Sequence, residues 1–346
     1  MPKHPLFLYR SKVDKTHGGL GNLAAFTVMA NKARKCSMVI GSSGTGKTTG
    51  VNVALRSNGK DNIILDSLTR SGLKVYEDQL SGYGGILCVQ DLGSIDTAYS
   101  LSESLKVLAV LAYEKQIAKN NSLMELSIKD FRGSTITTAQ PVMMTKLLRN
   151  YSWEAVLSDK VIRYYHMHRP IATASKPLSA KMAWGIDLDE VTLPAEIANK
   201  IANYCKSMVT QWSYARGVQH LGDLCKAAAA LRKSKKVQGT DYEAVFDIMR
   251  PCWYEKHLVR KTAFEAHAAY DIRSHCVLTE LTTYGRIEEN QTCRNYRISE
   301  RTYYRLMANV STWCVANAGK KGGYLPSEQF EQVFEECEPS SAEVFG

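Results

Sequence analysis

The stretch Gly41-Ser42-Ser43-Gly44-Thr45-Gly46-Lys47-Thr48, with Thr49 behind it, decides how the rest of the chain is read. It fills every defined position of the phosphate-loop pattern G-x-x-x-x-G-K-[ST]. The spacing follows from chemistry: glycines let the backbone curl so that its N–H groups converge on phosphates, the lysine reaches them as a point charge, and the hydroxyl after it suits Mg²⁺. The flanks agree, because Met38-Val39-Ile40 reads as a buried strand and residues 48–56 can run on as a helix. The stretch predicts a nucleoside triphosphate site over residues 41–49, with ATP and Mg²⁺ as the expected cofactors.

Composition narrows the context. The chain has 346 residues, enough for two or three domains, and a formal net charge of +10. That excess favours an anionic partner, nucleic acid first and a membrane surface second. No apolar run is long enough to span a bilayer and the N-terminal stretch is too short for a secretory signal, so a cytoplasmic protein with no membrane partner is expected. The nine cysteines are scattered without a C-x-x-C pair and read as reduced, mostly buried thiols.

Four blocks are expected. Residues 1–175 hold an α/β P-loop NTPase core on a parallel sheet, behind a basic N-terminal segment in which seven Lys and Arg residues face one Asp. Strands are predicted over 36–40, 62–65, 86–89, 134–139 and 160–166, and a long helix over 101–119. Residues 176–251 read as an all-α lid, with helices over 193–210, 217–233 and 241–249. Residues 252–330 are helical and basic. Ser299 reads there as the N-cap of a helix that carries Arg301 and Arg305 on one face, and Gly319-Lys320-Lys321-Gly322 reads as a hairpin tip. Three helices and a basic hairpin predict a winged-helix domain, with Arg297, Arg301, Arg305, Lys320 and Lys321 as the DNA-binding residues. Residues 331–346 are acidic and read as a frayed tail.

In this order the blocks resemble AAA+ ATPases, above all replication initiators, helicase loaders, the Holliday-junction branch-migration motor and minichromosome-maintenance helicases. The resemblance implies a second motif, four apolar residues and an acidic pair. Ile86-Leu87-Cys88-Val89-Gln90-Asp91-Leu92-Gly93 stands in that place, with Gln90 where the family has an acid. Asp91 would then hold Mg²⁺ together with Thr48, or orient the attacking water. Asp66, after Ile63-Ile64-Leu65, is a rival that suits a peripheral strand better. The resemblance further implies that Gln140, after strand 134–139, senses the γ-phosphate with its amide. Arg216 would be the sensor arginine of the lid, and Arg149, Lys160 and Arg163 compete as the arginine finger given to a neighbouring subunit, with Arg149 preferred. His166 and His168, two apart, could share a face as ligands, but no third ligand accompanies them.

These residues support two readings. One is an oligomeric ATPase, in a ring or filament, that couples ATP binding or hydrolysis to DNA binding, remodelling or translocation, with Lys47, Gln90, Asp91, Gln140, Arg149 and Arg216 as its machinery. The other is an ATP-dependent assembly switch with little turnover, which Gln90 favours. A GTPase is disfavoured, since neither Asn31-Lys32 nor Asn199-Lys200 continues into Asn-Lys-x-Asp.

Overall fold

The computed structural model describes residues 3–57, 59, 61–68, 70–90, 92, 98–121, 124–151, 153, 157–170, 181–208, 212–260, 267–317 and 322–340. Helices α1 (Pro5–Asp14) and α2 (Gly21–Lys32) lead into β1 (Cys36–Ile40), α3 (Lys47–Ser57) and β2 (Asn62–Leu65). Short helices α4 (Arg70–Lys74) and α5 (Glu77–Leu80) precede β3 (Ile86–Val89) and α6 (Ala98–Glu114). A hairpin of β4 (Ile117–Asn121) and β5 (Met124–Ile128) comes before β6 (Ser134–Ala139), and α7 (Pro141–Leu148) separates β6 from β7 (Val161–Tyr165). The helix expected over 101–119 stops at Glu114, because Lys115 takes a left-handed φ of +60° and turns the chain into the hairpin.

Strands β1, β2, β3, β6 and β7 form one all-parallel sheet in the order β2-β3-β6-β1-β7. Every residue of β1, β3, β6 and β7 is buried, as parallel strands covered on both faces require, whereas the edge strand β2 is partly exposed. Neighbouring residues of β6 show which helices do the covering. Ser134 Oγ bonds Asn31 of α2 at 3.0 Å, and Thr135 Oγ1 donates to the Leu108 carbonyl of α6 at 3.1 Å. Successive strand side chains face opposite sides, so α2 and α6 lie on opposite faces. From β1 the chain crosses to β2 on one side and later returns to β7 on the other, which makes the carboxyl ends of β1 and β6 the crevice of the sheet.

Behind the sheet, α8 (Ala195–Met208), α9 (Tyr214–Leu231) and α10 (Gly239–Met249) form a helical block. It packs against α1 and α2. Buried ion pairs fasten it there: Arg10 to Asp247 at 2.5 Å, and Asp241 to both His4 at 3.1 Å and Arg232 at 2.8 Å. Each buried charge has a partner, as its desolvation demands.

A 3-10 turn (Arg250–Tyr254) and α11 (Glu255–Leu258) lead through the pair β8 (Val259–Arg260) and β9 (Ala269–Tyr270) into the C-terminal helices α12 (Ile272–Tyr284), α13 (Glu289–Tyr296) and α14 (Glu300–Met307). An antiparallel pair follows, β10 (Cys314–Ala316) and β11 (Tyr324–Pro326), and Ile287 bridges to Tyr324 from the link between α12 and α13. The acidic end differs from expectation. Residues 328–337 form α15 (Glu328–Cys337), whose Phe330, Val333 and Cys337 are buried. Its acids also find partners: Glu338 accepts from the Tyr254 hydroxyl at 2.7 Å and pairs with His168 at 3.1 Å. Ser340 donates from its backbone N–H to Asp247 at 2.9 Å. An apolar stripe at helical spacing outweighs the repulsion among the glutamates. All nine cysteines are free thiols, seven of them buried. Among the described residues no helix is long and apolar enough to cross a membrane.

Candidate phosphate-binding site

Residues 41–46 link the end of β1 to the start of α3, at the crevice of the sheet. Gly44 and Gly46 both take φ of +74°, the left-handed region that a side chain resists, so the turns of this loop depend on glycine. Gly41 is required for a different reason: a Cβ there would lie 2.7 Å from the His166 carbonyl oxygen. Lys47 Nζ donates to the Ser42 carbonyl at 2.9 Å, and Thr45 Oγ1 donates to the same oxygen at 2.8 Å. The lysine thus folds back over the loop, its ammonium held within the curl of the backbone.

A cleft of about 180 Å³ opens above the loop, lined by Ser43, Gly44, Gly46, Lys47, Thr48 and Thr49, and by Thr138 and Gln140 from the end of β6. Phosphate oxygens need converging donors and Mg²⁺ needs oxygen ligands, and the loop backbone, Lys47 and the two threonines supply both kinds of group. The donor set therefore fits a nucleotide. Gln140 precedes α7 and brings a neutral amide to the same cleft.

Gln90 follows β3, two strands from β1, and its Nε2 donates to Asn52 Oδ1 on α3 at 2.9 Å. It fastens the helix behind the loop and offers no charge to a metal. Asp91 lies outside the described residues, as do Lys320 and Lys321. Asp66 follows the edge strand β2 and is exposed.

Four other expected residues do not line the cleft. Arg216 stacks over the Tyr113 ring at 4.8 Å, a ring that Lys35 also approaches at 5.2 Å. Lys35 precedes β1 whereas the loop follows it, so Arg216 sits near the opposite end of the strand, one strand length (roughly 15 Å) from the loop. Among the described residues none of α8–α10 lines the cleft, and that block packs on α1 and α2 instead. Arg163 is buried within β7 and forks onto Glu255, with Nε at 2.6 Å and Nη2 at 2.8 Å, which makes it a structural ion pair and not a finger. Lys160 is engaged with Glu114 at 2.9 Å. Arg149, at the end of α7, is exposed.

Other residues hold the loop from behind. Burial, reinforced by the His168 and Lys47 charges, lowers His166 to about 3, so its neutral ring donates from Nε2 to the Thr45 carbonyl at 2.8 Å. Arg169, four residues beyond β7, donates from Nη1 to the Ser43 carbonyl at 3.0 Å and from Nε to Glu280 on α12 at 3.0 Å. Its guanidinium lies over the Tyr296 ring at 4.8 Å, and Glu280 also accepts from Asn295 at 2.9 Å. His275, on α12 and fully buried, is lowered to about 3 by burial and then by the Lys47 and His166 charges. The loop is thus fastened to α12 and α13. Nothing local in the sequence marks Arg169 and Glu280, which stand 111 positions apart.

In the C-terminal block, Ser299 Oγ accepts from the Thr302 N–H at 3.3 Å and caps α14. Tyr303 and Met307 face inward, while Arg301 and Arg305 are exposed and have no ion pair among the described residues. Arg297, also exposed, ends α13 with a φ of +52°. No protein-family model matches the chain, and no curated protein is similar to it at a significant level.

Proposed function

We propose that the chain is an ATP-binding P-loop NTPase of the AAA+ type that couples ATP binding or hydrolysis to work on DNA. The observation that carries this is the placement of the loop at residues 41–48. It joins a central parallel strand to a helix, and its cleft is shared with Gln140 from the next strand. The strand order β2-β3-β6-β1-β7 supports it too, since it brings β1, β6 and β3 side by side, so the loop, Gln140 and Gln90 all follow the carboxyl ends of neighbouring strands. Bound ATP with Mg²⁺ would supply the phosphoanhydride whose binding or cleavage drives the change. The chain's own parts are Lys47 as counter-charge, Thr48 and Asp91 as the Mg²⁺ side, Gln140 as an amide donor and Arg149 as the arginine offered to a neighbouring copy in a ring or filament.

The C-terminal helices, the Ile287 bridge and the β10–β11 pair follow one another as in a winged helix. They offer Arg297, Arg301 and Arg305 to duplex or forked DNA, and Lys320 and Lys321, which fall between β10 and β11 in the sequence, belong to the same proposed contact. A second reading, an assembly switch with little turnover, is favoured by Gln90, which leaves one carboxylate where the family has two. Steady-state hydrolysis with and without DNA separates the two readings. The site itself is tested by Lys47→Ala: losing the charge-assisted contacts should weaken a fluorescent ATP analogue at least about thirtyfold. Unchanged affinity in the variant would remove the site.

A further inference from the structure

A second cavity, about 300 Å³, lies at the other end of the sheet from the phosphate loop, where β3 and β6 begin. Its lining is cationic. Lys32, Arg34 and Arg132 line it beside Asp187, while Asp189 and Asp130 hold Arg34 and Arg132 from outside the lining. Trp184 adds an indole to the wall, with Lys32 Nζ over its ring at 5.2 Å. Asn31 also lines the cavity and is 3 % exposed. Its Oδ1 accepts from Ser134 at 3.0 Å, but its Nδ2 has no hydrogen-bond partner among the described residues. A buried amide N–H without a partner costs about 1–3 kcal/mol, and a ligand oxygen in the cavity would relieve that cost.

The walls are set in advance. Gly185 has φ +71°, and a Cβ on it would lie 1.8 Å from the Ala230 carbonyl oxygen, so the segment carrying Trp184 rests directly on the end of α9. The Ile186 N–H donates to that same carbonyl at 3.2 Å, and the Met182 N–H donates to the Ser57 carbonyl at 3.0 Å. On the facing wall, Arg34 takes φ +56° just after α2 and is oriented by Asp187 and Asp189, each at 3.0 Å. Arg132 is oriented by Asp130. Both acids that hold Arg132 and Arg34 from outside, Asp130 and Asp189, are solvent-exposed.

We propose that this cavity is a second binding site, separate from the phosphate loop, for a nucleotide unit. Its phosphate is taken by Lys32, Arg34, Arg132 and the Asn31 amide, and its base is set against Trp184. A phosphate competes better than a singly charged carboxylate for guanidiniums that exposed acids already hold, and an indole beside cations is the pairing that stacks bases next to a sugar-phosphate backbone. The volume sits at the lower end of the range for ligand pockets, which limits the occupant to one nucleotide. That nucleotide is either a free monophosphate or one residue of a single strand.

The test uses the full chain carrying Lys47→Ala, so that the loop does not contribute. AMP and a single-stranded oligo(dT) are titrated by calorimetry and by indole fluorescence. Arg132→Glu, at an exposed position, and Trp184→Ala are each expected to weaken binding at least tenfold, and Trp184→Phe to remove most of the fluorescence change while retaining affinity. AMP binding that depends on these residues assigns a free nucleotide. Oligonucleotide binding that depends on them, without AMP binding, assigns a strand. Absence of binding by both probes, or equal affinity in the parent and in Arg132→Glu, overturns the site.

Discussion

His166, bonded to the Thr45 carbonyl, and His275 on α12 are both held neutral by burial, with pKa values lowered to about 3. In the unfolded chain each titrates near the ordinary value of about 6.5. The unfolded state therefore binds protons first as the pH falls, and the stability these groups contribute is full above about 6.5 and is lost progressively toward 3. Between pH 6.5 and 5 the loss is about 2 kcal/mol for each histidine. Urea unfolding midpoints at pH 7 and pH 5 should show this fall, and His166→Gln should flatten it. A midpoint independent of pH over this range would mean that the rings are solvated. Residue scale is also where roles separate. Arg163 and Arg169 are both buried, but the first binds Glu255 alone among carboxylates, whereas the second spans the loop and α12.

Helix α15 shows how an element can overrule composition. Its acids suggest a solvated tail, but Phe330, Val333 and Cys337 recur at helical spacing and pack against the 3-10 turn that carries Trp253 and Tyr254. Phe330→Ala should cost about 3–5 kcal/mol, the range for emptying a buried aromatic site, read as a lowered thermal or urea midpoint. A change below 1 kcal/mol would place the helix outside the cooperative fold. Helix α14 poses the complementary question, since its exposed face carries Arg301 and Arg305 while Tyr303 and Met307 anchor the other. If that face meets DNA phosphates, the double variant Arg301→Ala/Arg305→Ala should lower duplex affinity and reduce the slope of log affinity against log salt by about two units. Parent-like slopes would leave these arginines as a solvated face and move the DNA contact elsewhere.

Across the whole molecule the phosphate loop and the basic C-terminal block are joined through Arg169 and Glu280, both buried. Removing one partner leaves the other charged and unpaired, so Arg169→Ala should destabilise the chain by about 3 kcal/mol. It also frees the Ser43 carbonyl from α12. Any effect of an ATP analogue on DNA affinity should therefore shrink in this variant, measured at a temperature where the variant remains folded. Coupling that survives intact would route it through another contact.

Much of this architecture was legible in the chain. The strand, glycine turn and helix over residues 36–57, the alternation of buried strands and helices, the free thiols and the Ser299 cap all rest on residues within a few positions of one another. Backbone freedom, side-chain period and capping are local physics. The order of strands in the sheet, the ion pair that takes Arg163 out of the candidate site, the position of Arg216 at the far end of β1 and the Arg169–Glu280 link belong to the tertiary structure alone. What a charged side chain does depends on which distant group is desolvated with it, and only the packed fold brings those two groups together.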